Sequence, residues 1–221
     1  MKKILSIVML ALCCIACSSS DDEVVPNNNQ NNNNNQDPVA DRVAIPDEAF
    51  EQALIDLGFD TEIDGFVLKS SIENIRDIVL NDTGISSLSG IEEFSSLENL
   101  WAEDNQISSV NLNGLSNLKF IFLTNNQLTS INVAGFTNLE KLWINDNPIT
   151  SLNVSSNVNL QILSAPNNLI EALNVSGNPQ LNVLNVLNNP VTCIQVNSQQ
   201  LGNIPDQWQI DPEDTYSLNC N

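Results

Sequence analysis

The chain has 221 residues, of which 27 are Asp or Glu, seven are Lys or Arg and none is His, so its formal net charge is −20. So few basic residues argue against nucleic-acid binding, which needs clustered Lys and Arg, and against docking on an anionic lipid surface through protein charge. The absence of histidine excludes Ser-His-Asp triads, Cys-His dyads and HExxH zinc sites.

Residues 1–16 have the order of a secretory leader. Two lysines precede an apolar run of 13 residues, Ile4 to Ala16, which is too short to span a bilayer as a stable helix. A small residue stands directly before Cys17, and this ending resembles the bacterial lipoprotein lipobox, although Cys14 stands where Leu is usual. The resemblance implies cleavage before Cys17 and acylation of that cysteine, palmitate included. An ordinary secretory signal cut nearby is the alternative.

Residues 17–40 are predicted to form a flexible tether. The segment from Pro26 to Asp37 has no aliphatic or aromatic residue, so it cannot offset its ordering entropy. A chain of this length has a typical reach on the order of 25 Å. The acidic residues after Cys17 resemble the surface-export signals of Bacteroidetes lipoproteins, which implies an outer-membrane lipoprotein exposed at the cell surface. A solvated spacer at the periplasmic face is the alternative.

Residues 41–74 are predicted to form an N-terminal helical cap. Asp47 is placed to cap a helix over Glu48 to Leu57, and Gly58 is placed to end it. The apolar residues of this segment recur at helical spacing and are expected to plug the open end of the fold; they are Phe50, Ala53, Leu54 and Leu57.

An acidic segment follows the cap helix. Asp60, Glu62, Asp64 and Gly65 resemble the start of a calcium loop, but Ser71 stands at the twelfth position, where the chelating Glu is required. A turn between the helix and the first repeat explains these residues equally well. We therefore predict no metal site and no cofactor.

Residues 75–192 are predicted to form a repeat array with a period of 21 residues. Apolar residues recur at positions 1, 4, 6, 11, 14 and 16 of each unit, in the spacing LxxLxLxxNxL that is typical of leucine-rich repeats. The units start at Leu97, Leu118, Leu139, Leu160 and Leu181. A looser copy begins near Ile75, with Thr83 and Gly84 in place of the Asn step.

The repeat predicts an α/β solenoid, a right-handed coil with a parallel concave sheet and a cap at each end. Positions 4 and 6 form a short strand in each unit, and strands of successive coils pair. Position 9 is always Asn, and we expect these side chains to satisfy backbone groups where the chain turns; they are Asn105, Asn126, Asn147, Asn168 and Asn189. A second alternation, as in Ile131 to Val133, predicts another extended stretch with exposed Asn residues.

Residues 193–221 are predicted to complete the last repeat and form the C-terminal cap. Cys193 and Cys220 are the two cysteines outside the leader. In an exported protein such a pair most simply forms a disulfide, with two buried thiols as the alternative. Trp208 and Tyr216 are expected to cover the last coil.

Three stretches carry a family resemblance: IPDEAFEQALIDLGFD at 45–60, the five NxIxxLxV-type steps, and the TCIQV…W…YSLNC ending. They resemble the leucine-rich-repeat lipoproteins of Bacteroidetes, with repeats similar to the internalin-J type. The resemblance implies adhesion or surface recognition without a defined partner. Some relatives carry Cys at position 7, a row that has no Cys here; its residues are Glu103, Thr124, Asn145, Pro166 and Leu187.

The candidate ligand-binding residues lie at positions 3, 5 and 7, which point out of the concave sheet in such a solenoid. The chain is only 5% aromatic, yet two of its three Trp occupy position 5. Aromatic centres with a polar rim suit protein hot spots and also sugar stacking. The predicted site comprises Trp101, Phe120, Phe122, Lys141, Trp143, Ile162, Glu103 and Asn145. Cross-strand stabilisation of the sheet, or coverage of the rings by the N-terminal cap, is the alternative.

We expect a surface-anchored, non-catalytic recognition or adhesion protein whose partner is a protein of a host or neighbouring cell. The alternative is a glycan-binding accessory lipoprotein of a nutrient-uptake system, and an envelope spacer without a ligand is a third possibility. Carboxylate pairs such as Glu103 with Asp146 have no apolar walls to raise one pKa, which argues against glycosidase chemistry. No nucleic acid is expected, and the membrane is contacted only through the lipid on Cys17.

Overall fold

The computed structural model describes residues 41–220. The leader, the acylation site at Cys17 and the tether that the sequence predicts therefore lie outside the described residues, as does Asn221. The described part is a parallel-sheet solenoid of about seven turns. None of its helices has the length and hydropathy that a membrane-spanning segment needs.

Seven short parallel strands form the principal sheet, and they pair in the register that the repeat predicts. Leu100 pairs with Ile121 and Ile121 with Leu142, so each step along the sheet is one 21-residue unit. The middle residue of each three-residue strand points into the core, and the flanking two lie on the outer face. The strands are β3 (Asp77–Val79), β4 (Asn99–Trp101), β5 (Phe120–Phe122), β6 (Lys141–Trp143), β7 (Ile162–Ser164), β9 (Val183–Asn185) and β11 (Trp208–Gln209).

A second parallel sheet lies on another side of the coils, but only at the C-terminal end. It consists of β8 (Leu173–Asn174), β10 (Cys193–Gln195) and β12 (Thr215–Ser217). In earlier coils the predicted alternation persists without paired strands: Ile131 and Val133 are buried and Asn132 is exposed. Asn132 Oδ1 accepts a hydrogen bond from Ala134 N at 3.1 Å, which stabilises the following turn.

The N-terminal cap consists of α1 (Glu48–Asp56), α2 (Lys69–Ile72) and the antiparallel pair β1 (Arg42–Ala44) and β2 (Phe66–Leu68). A short 3₁₀ turn, Ile91–Glu93, follows in the first coil. Asp47 is the N-cap of α1, and Gly58 has a φ of +80° just beyond its end, as predicted. Phe50 and Leu54 are fully buried.

The prediction that Leu57 belongs to the plugging face of the cap helix is wrong. Leu57 is the C-cap residue of α1 and is 42% exposed, because the chain turns away at Gly58 before this side chain meets the core. The plugging face therefore ends at Leu54, and Phe50 makes its main ring contact, stacking on Phe94 with 6.2 Å between centroids.

Asp47 also joins the cap to the first coil. Its Oδ1 accepts from Phe50 N at 3.0 Å, and its Oδ2 accepts from Ser86 N at 2.9 Å, Ser86 Oγ at 2.6 Å and Ser87 N at 2.9 Å. Burial opposes ionisation of Asp47, but these hydrogen bonds outweigh it and hold its pKa below the ordinary value.

The acidic segment after α1 forms a turn around a buried carboxylate. Glu51 is 1% exposed, and its Oε1 accepts from the backbone nitrogens of Asp64, Gly65 and Phe66 at 2.9, 2.7 and 3.0 Å. Asp64 Oδ2 pairs with Arg42 Nη1 at 2.9 Å. Within residues 41–220, no group of three or more His, Cys, Asp or Glu is arranged to hold a metal ion.

The Asn at position 9 of each unit joins two successive coils. Asn147 Oδ1 accepts from Leu128 N of the preceding coil at 2.9 Å. Its Nδ2 donates to Leu123 O of that coil at 2.9 Å and to Ile144 O of its own coil at 3.2 Å. Bonds to both coils recur at Asn105, Asn126, Asn168 and Asn189, which confirms a structural role for this row. We call these five residues the asparagine ladder.

The residue before each ladder Asn adopts a left-handed backbone. All five of these residues have φ between 54° and 58°, and so does Asp82 at the same position of the looser first copy. Asp and Asn tolerate this region better than other non-glycine residues, which explains why position 8 is always Asp or Asn. The five are Asp104, Asn125, Asp146, Asn167 and Asn188.

A second, shorter polar ladder was not predicted. Asn157 and Asn178 are fully buried at position 19, where earlier units carry Leu115 and Phe136. Asn157 Nδ2 donates to Val133 O and Phe136 O at 2.9 Å, and Asn178 Nδ2 donates to Val154 O and Asn157 O at 2.9 Å. At this position the later coils are therefore joined by amide hydrogen bonds, whereas the earlier coils are joined by the packing of bulky apolar side chains.

The C-terminal cap continues both sheets beyond the last repeat. Trp208 pairs in register with Leu184, and Tyr216 with Ile194. Trp208 is only 8% exposed, and its ring lies 5.7 Å from that of Tyr216, so the two cover the last coil as predicted. Cys193 and Cys220 form a disulfide with a Cα–Cα distance of 5.8 Å. The helix α3 (Ser198–Gly202) begins with a capping box formed by Asn197 and Gln200.

The asparagine ladder can be tested at its centre. We predict that Asn147→Ala lowers the free energy of unfolding by about 2–4 kcal/mol, because it leaves several buried backbone groups without partners. Urea denaturation followed by circular dichroism measures this loss. Asn138→Ala is the matched control, since Asn138 is exposed and makes a single 3.3 Å bond to Ser116 O. Equal losses in the two variants would contradict the structural role.

The contact of Asp47 with the first coil predicts a pH dependence. A carboxylate whose pKa is lowered on folding contributes stability above its unfolded pKa of ~3.9, and that contribution is lost as the pH falls through the folded value. The difference in unfolding free energy between wild type and Asp47→Asn should therefore be constant near neutral pH and shrink below about pH 4. Ser86→Ala should reduce this pH-dependent part. If the difference in unfolding free energy between wild type and Asp47→Asn stayed the same from neutral pH to pH ~3, the stabilising role of the ionised Asp47 carboxylate would be contradicted.

Candidate ligand-binding surface

We call the outer sheet face the side chains at the first and third residues of each strand in the seven-stranded sheet. These residues occupy positions 3 and 5 of the repeat. Because the strands pair in register, each position forms a straight row across them. Position 5 runs Val79, Trp101, Phe122, Trp143, Ser164, Asn185 and Gln209. Position 3 runs Asp77, Asn99, Phe120, Lys141, Ile162 and Val183.

Three adjacent aromatic rings, Trp101, Phe122 and Trp143, form what we call the aromatic row. Trp101 stacks on Phe122 with 5.7 Å between centroids and an interplanar angle of 18°. Trp143 meets the other side of Phe122 edge-on, at 4.8 Å and 81°. All three rings lie outside the hydrophobic core cluster, so the predicted outward register is observed.

The burial of Phe122 differs from the expectation that it is exposed. Phe122 points to the outer sheet face but is only 7% exposed, because Trp101 and Trp143 cover it from both sides. Trp143 is 37% exposed and Trp101 is half-buried. Phe122 therefore holds the two indoles in place, and the indoles present the accessible surface. Since Trp143 stays accessible, the described cap does not cover it.

Lys141 and Phe120 lie side by side in the position-3 row, next to the aromatic row. Lys141 Nζ lies 4.5 Å from the centroid of the Phe120 ring, within the range of a cation–π contact. Among the basic residues of the described chain, Lys141 alone lacks a carboxylate partner. The others each pair with one at 3.0 Å or less: Arg42, Lys69, Arg76 and Lys119.

Charged and polar side chains flank the strands that carry the aromatic row. Glu98 accepts from Lys119 Nζ at 2.6 Å and from Arg76 Nη1 at 3.0 Å, and the hydrogen bond from Lys119 lowers the pKa of Glu98. Glu103 and Asn145, predicted as ligand contacts, are half-buried at position 7. Asn145 Oδ1 is buried and accepts no hydrogen bond from the described residues.

The predicted site residues thus lie on four adjacent strands and the turns after them. Trp101, Trp143, Phe120 and Lys141 share one continuous surface, and Ile162 is half-buried one strand beyond Lys141. The Lys141–Phe120 contact could have been expected, because the two residues are directly paired in the repeat register. Asp206, Gln207 and Gln209, which border this surface at the C-terminal cap, lie in a segment without a repeat signal and were not predicted as site residues.

Comparisons with known proteins agree with this architecture. The leucine-rich-repeat family, in its two-copy form, matches residues 116–157. No curated protein matches the chain. The chain is therefore similar to leucine-rich repeats over two of its units.

Several solved structures are similar to this chain over most of its length. The functional domain of InlJ from Listeria monocytogenes, which includes a cysteine ladder, is 23% identical over 70% of this chain and 38% of its own, with a TM-score of 0.62. A leucine-rich-repeat protein of Leptospira interrogans is 22% identical over 64% of this chain and 44% of its own, with a TM-score of 0.54. The internalin InlF of L. monocytogenes is 18% identical over 79% of this chain and 71% of its own, with a TM-score of 0.51.

This chain spans less than half the length of the first two of these structures. At such identities the likeness shows the fold, a leucine-rich-repeat solenoid like those of the internalins. Proteins of this fold are typically recognition modules without catalytic activity, so the outer sheet face is the surface to test for binding.

The supporting role of Phe122 generates a test. Phe122→Ala should lower the free energy of unfolding by about 2–3 kcal/mol, since it removes a buried ring held between two indoles. Acrylamide should quench tryptophan fluorescence more strongly in this variant. Phe122→Leu, which keeps apolar bulk, should cost less than about 1.5 kcal/mol. Unchanged stability and quenching in Phe122→Ala would show that the ring supports nothing.

Proposed function

We propose that this solenoid is a non-catalytic recognition or adhesion module that binds a protein partner through the outer sheet face. The observation that carries the proposal is the pair of accessible indoles, Trp101 and Trp143, held by the buried Phe122. In a chain that is only 5% aromatic, three adjacent rings of one row lie on the same face.

The rigidity of the indoles favours binding. Trp side chains provide a large contact area at a low cost in conformational entropy, and they are enriched at binding hot spots. Here the register and the Phe122 contacts already fix both rings, so little further ordering is needed when a partner binds. The half-buried and charged residues around the rings form a polar rim, as is usual at protein interfaces.

The charges favour a partner of complementary pattern. The formal net charge of −20 attracts basic proteins over a distance and speeds their encounter. Lys141 provides a single positive charge beside the aromatic row, where an acidic side chain of the partner would pair with it. We therefore expect a partner surface with an apolar centre, one acidic group and a basic rim.

The location of the protein is part of the proposal. The lipobox-like ending at Cys17 and the acidic, Asn-rich residues 17–40 support acylation of that cysteine and display of the solenoid at the outer-membrane surface. A tether of this composition would let the outer sheet face reach a partner on a host or neighbouring cell.

The proposal is tested with beads coated with this protein, whose attachment to epithelial cells and to co-resident bacteria is measured. Combining Trp101→Ala with Trp143→Ala should reduce attachment at least tenfold, since each hot-spot residue typically contributes ~2 kcal/mol or more. Trypsin treatment of the target cells should abolish the attachment of the unmodified protein, because the partner is a protein.

The matched control combines Val158→Ala with Leu169→Ala. These side chains are 46% and 49% exposed and lie away from the sheet strands, so attachment should be unchanged. The proposal fails if the Trp double variant keeps its circular dichroism spectrum and its attachment. It also fails if neither cell type shows protease-sensitive attachment.

A further inference from the structure

The character of the position-5 row changes abruptly after Trp143. The next three residues in register are Ser164, Asn185 and Gln209, which replace aromatic rings with a hydroxyl and two amides. Because the Ser164 side chain is far smaller than an indole, the surface falls away beside Trp143. The result is a depression of about 440 Å³ with the Trp143 indole as one wall.

The C-terminal cap closes the far side of this depression. Asp206 and Gln207, both exposed, line it from a turn in which Trp208 N donates to Pro205 O at 3.0 Å. Its base includes the half-buried side chains of Ile162 and Val183 in the neighbouring row. The depression thus combines an aromatic wall, an apolar base and a polar rim from two different parts of the fold.

The polar lining is mostly uncharged. Amides of Asn145, Asn185, Gln207 and Gln209 surround the depression together with one carboxylate, that of Asp206, and no basic residue. Each amide offers donors and an acceptor, so the rim can both donate to and accept from ligand hydroxyls. Asn185 Oδ1 accepts from Leu187 N at 3.2 Å, which orients the side chain, while its Nδ2 donates to no described residue.

Other ligand classes fit these groups less well. An anion would meet Asp206 and a formal net charge of −20, with no cation in the lining. A wholly apolar ligand would desolvate the amides without replacing their hydrogen bonds with water. A pyranose ring, with an apolar C–H face and hydroxyls around its edge, matches an indole wall beside a rim of amides.

We propose that this depression is a second binding site, which takes one or two sugar residues of a neutral glycan with Trp143 as the stacking platform. Its volume lies in the lower part of the usual range of ligand sites, ~300–1,000 Å³. The two proposed sites share Trp143 but can be told apart, because Asn185 and Gln209 line only the depression and Trp101 belongs only to the aromatic row.

Saturation-transfer NMR on the full chain, with lactose, maltose, cellobiose and diacetylchitobiose as probes, tests the site. At least one of these disaccharides should bind at millimolar concentration. Trp143→Ala should weaken this binding at least about tenfold, and Asn185→Ala and Gln209→Ala should weaken it severalfold. Trp143→Phe should retain part of the binding, and Trp101→Ala should retain all of it.

Several outcomes would overturn the site. One is that none of the four disaccharides gives saturation transfer to the folded protein. Another is that Trp101→Ala weakens binding as much as Trp143→Ala, which would place the sugar on the aromatic row. Binding of arginine amide in place of every disaccharide would assign the depression to a cationic side chain.

Discussion

The structure depends on one repeated interaction, the set of hydrogen bonds that each asparagine-ladder side chain makes to two successive coils. A coil of 21 residues cannot enclose its own apolar side chains, so it is stable only when it stacks on neighbours. Each ladder amide satisfies backbone groups at the turn of its own coil and of the preceding one. A coil that slipped by one residue would leave these buried groups unpaired, at a cost of several kcal/mol per coil.

This constraint connects the interior to the proposed binding surface. Once the ladder holds each coil at the same angle, every position-5 side chain lies in one row, and the choice of residue there decides what the surface can bind. Trp101, Phe122 and Trp143 make part of that row aromatic, and Ser164 then opens the depression beside it. The two proposed sites are thus consequences of residue size along one row of a regular scaffold.

Much of this arrangement could be predicted because it depends on periodicity and local chemistry. The spacing of apolar residues predicted the strand register, Asp47 and Gly58 bounded the cap helix, and two leftover cysteines predicted the disulfide. Contacts between distant parts of the chain were not predictable. Asp47 reaches Ser86 across 39 residues, and Gln207 reaches the depression from a segment without a repeat pattern. Phe122 is buried by rings on neighbouring strands, which a single repeat does not reveal.

Native-state hydrogen exchange of the backbone amides that donate to the ladder tests the central claim most directly. Ile107, Leu128 and Ile149 donate to Asn126, Asn147 and Asn168, respectively. The account predicts that these three amides exchange only through global unfolding, with free energies equal to that of the whole solenoid. Exchange at the rates of solvent-exposed amides, or through separate low-energy openings of single coils, would contradict it.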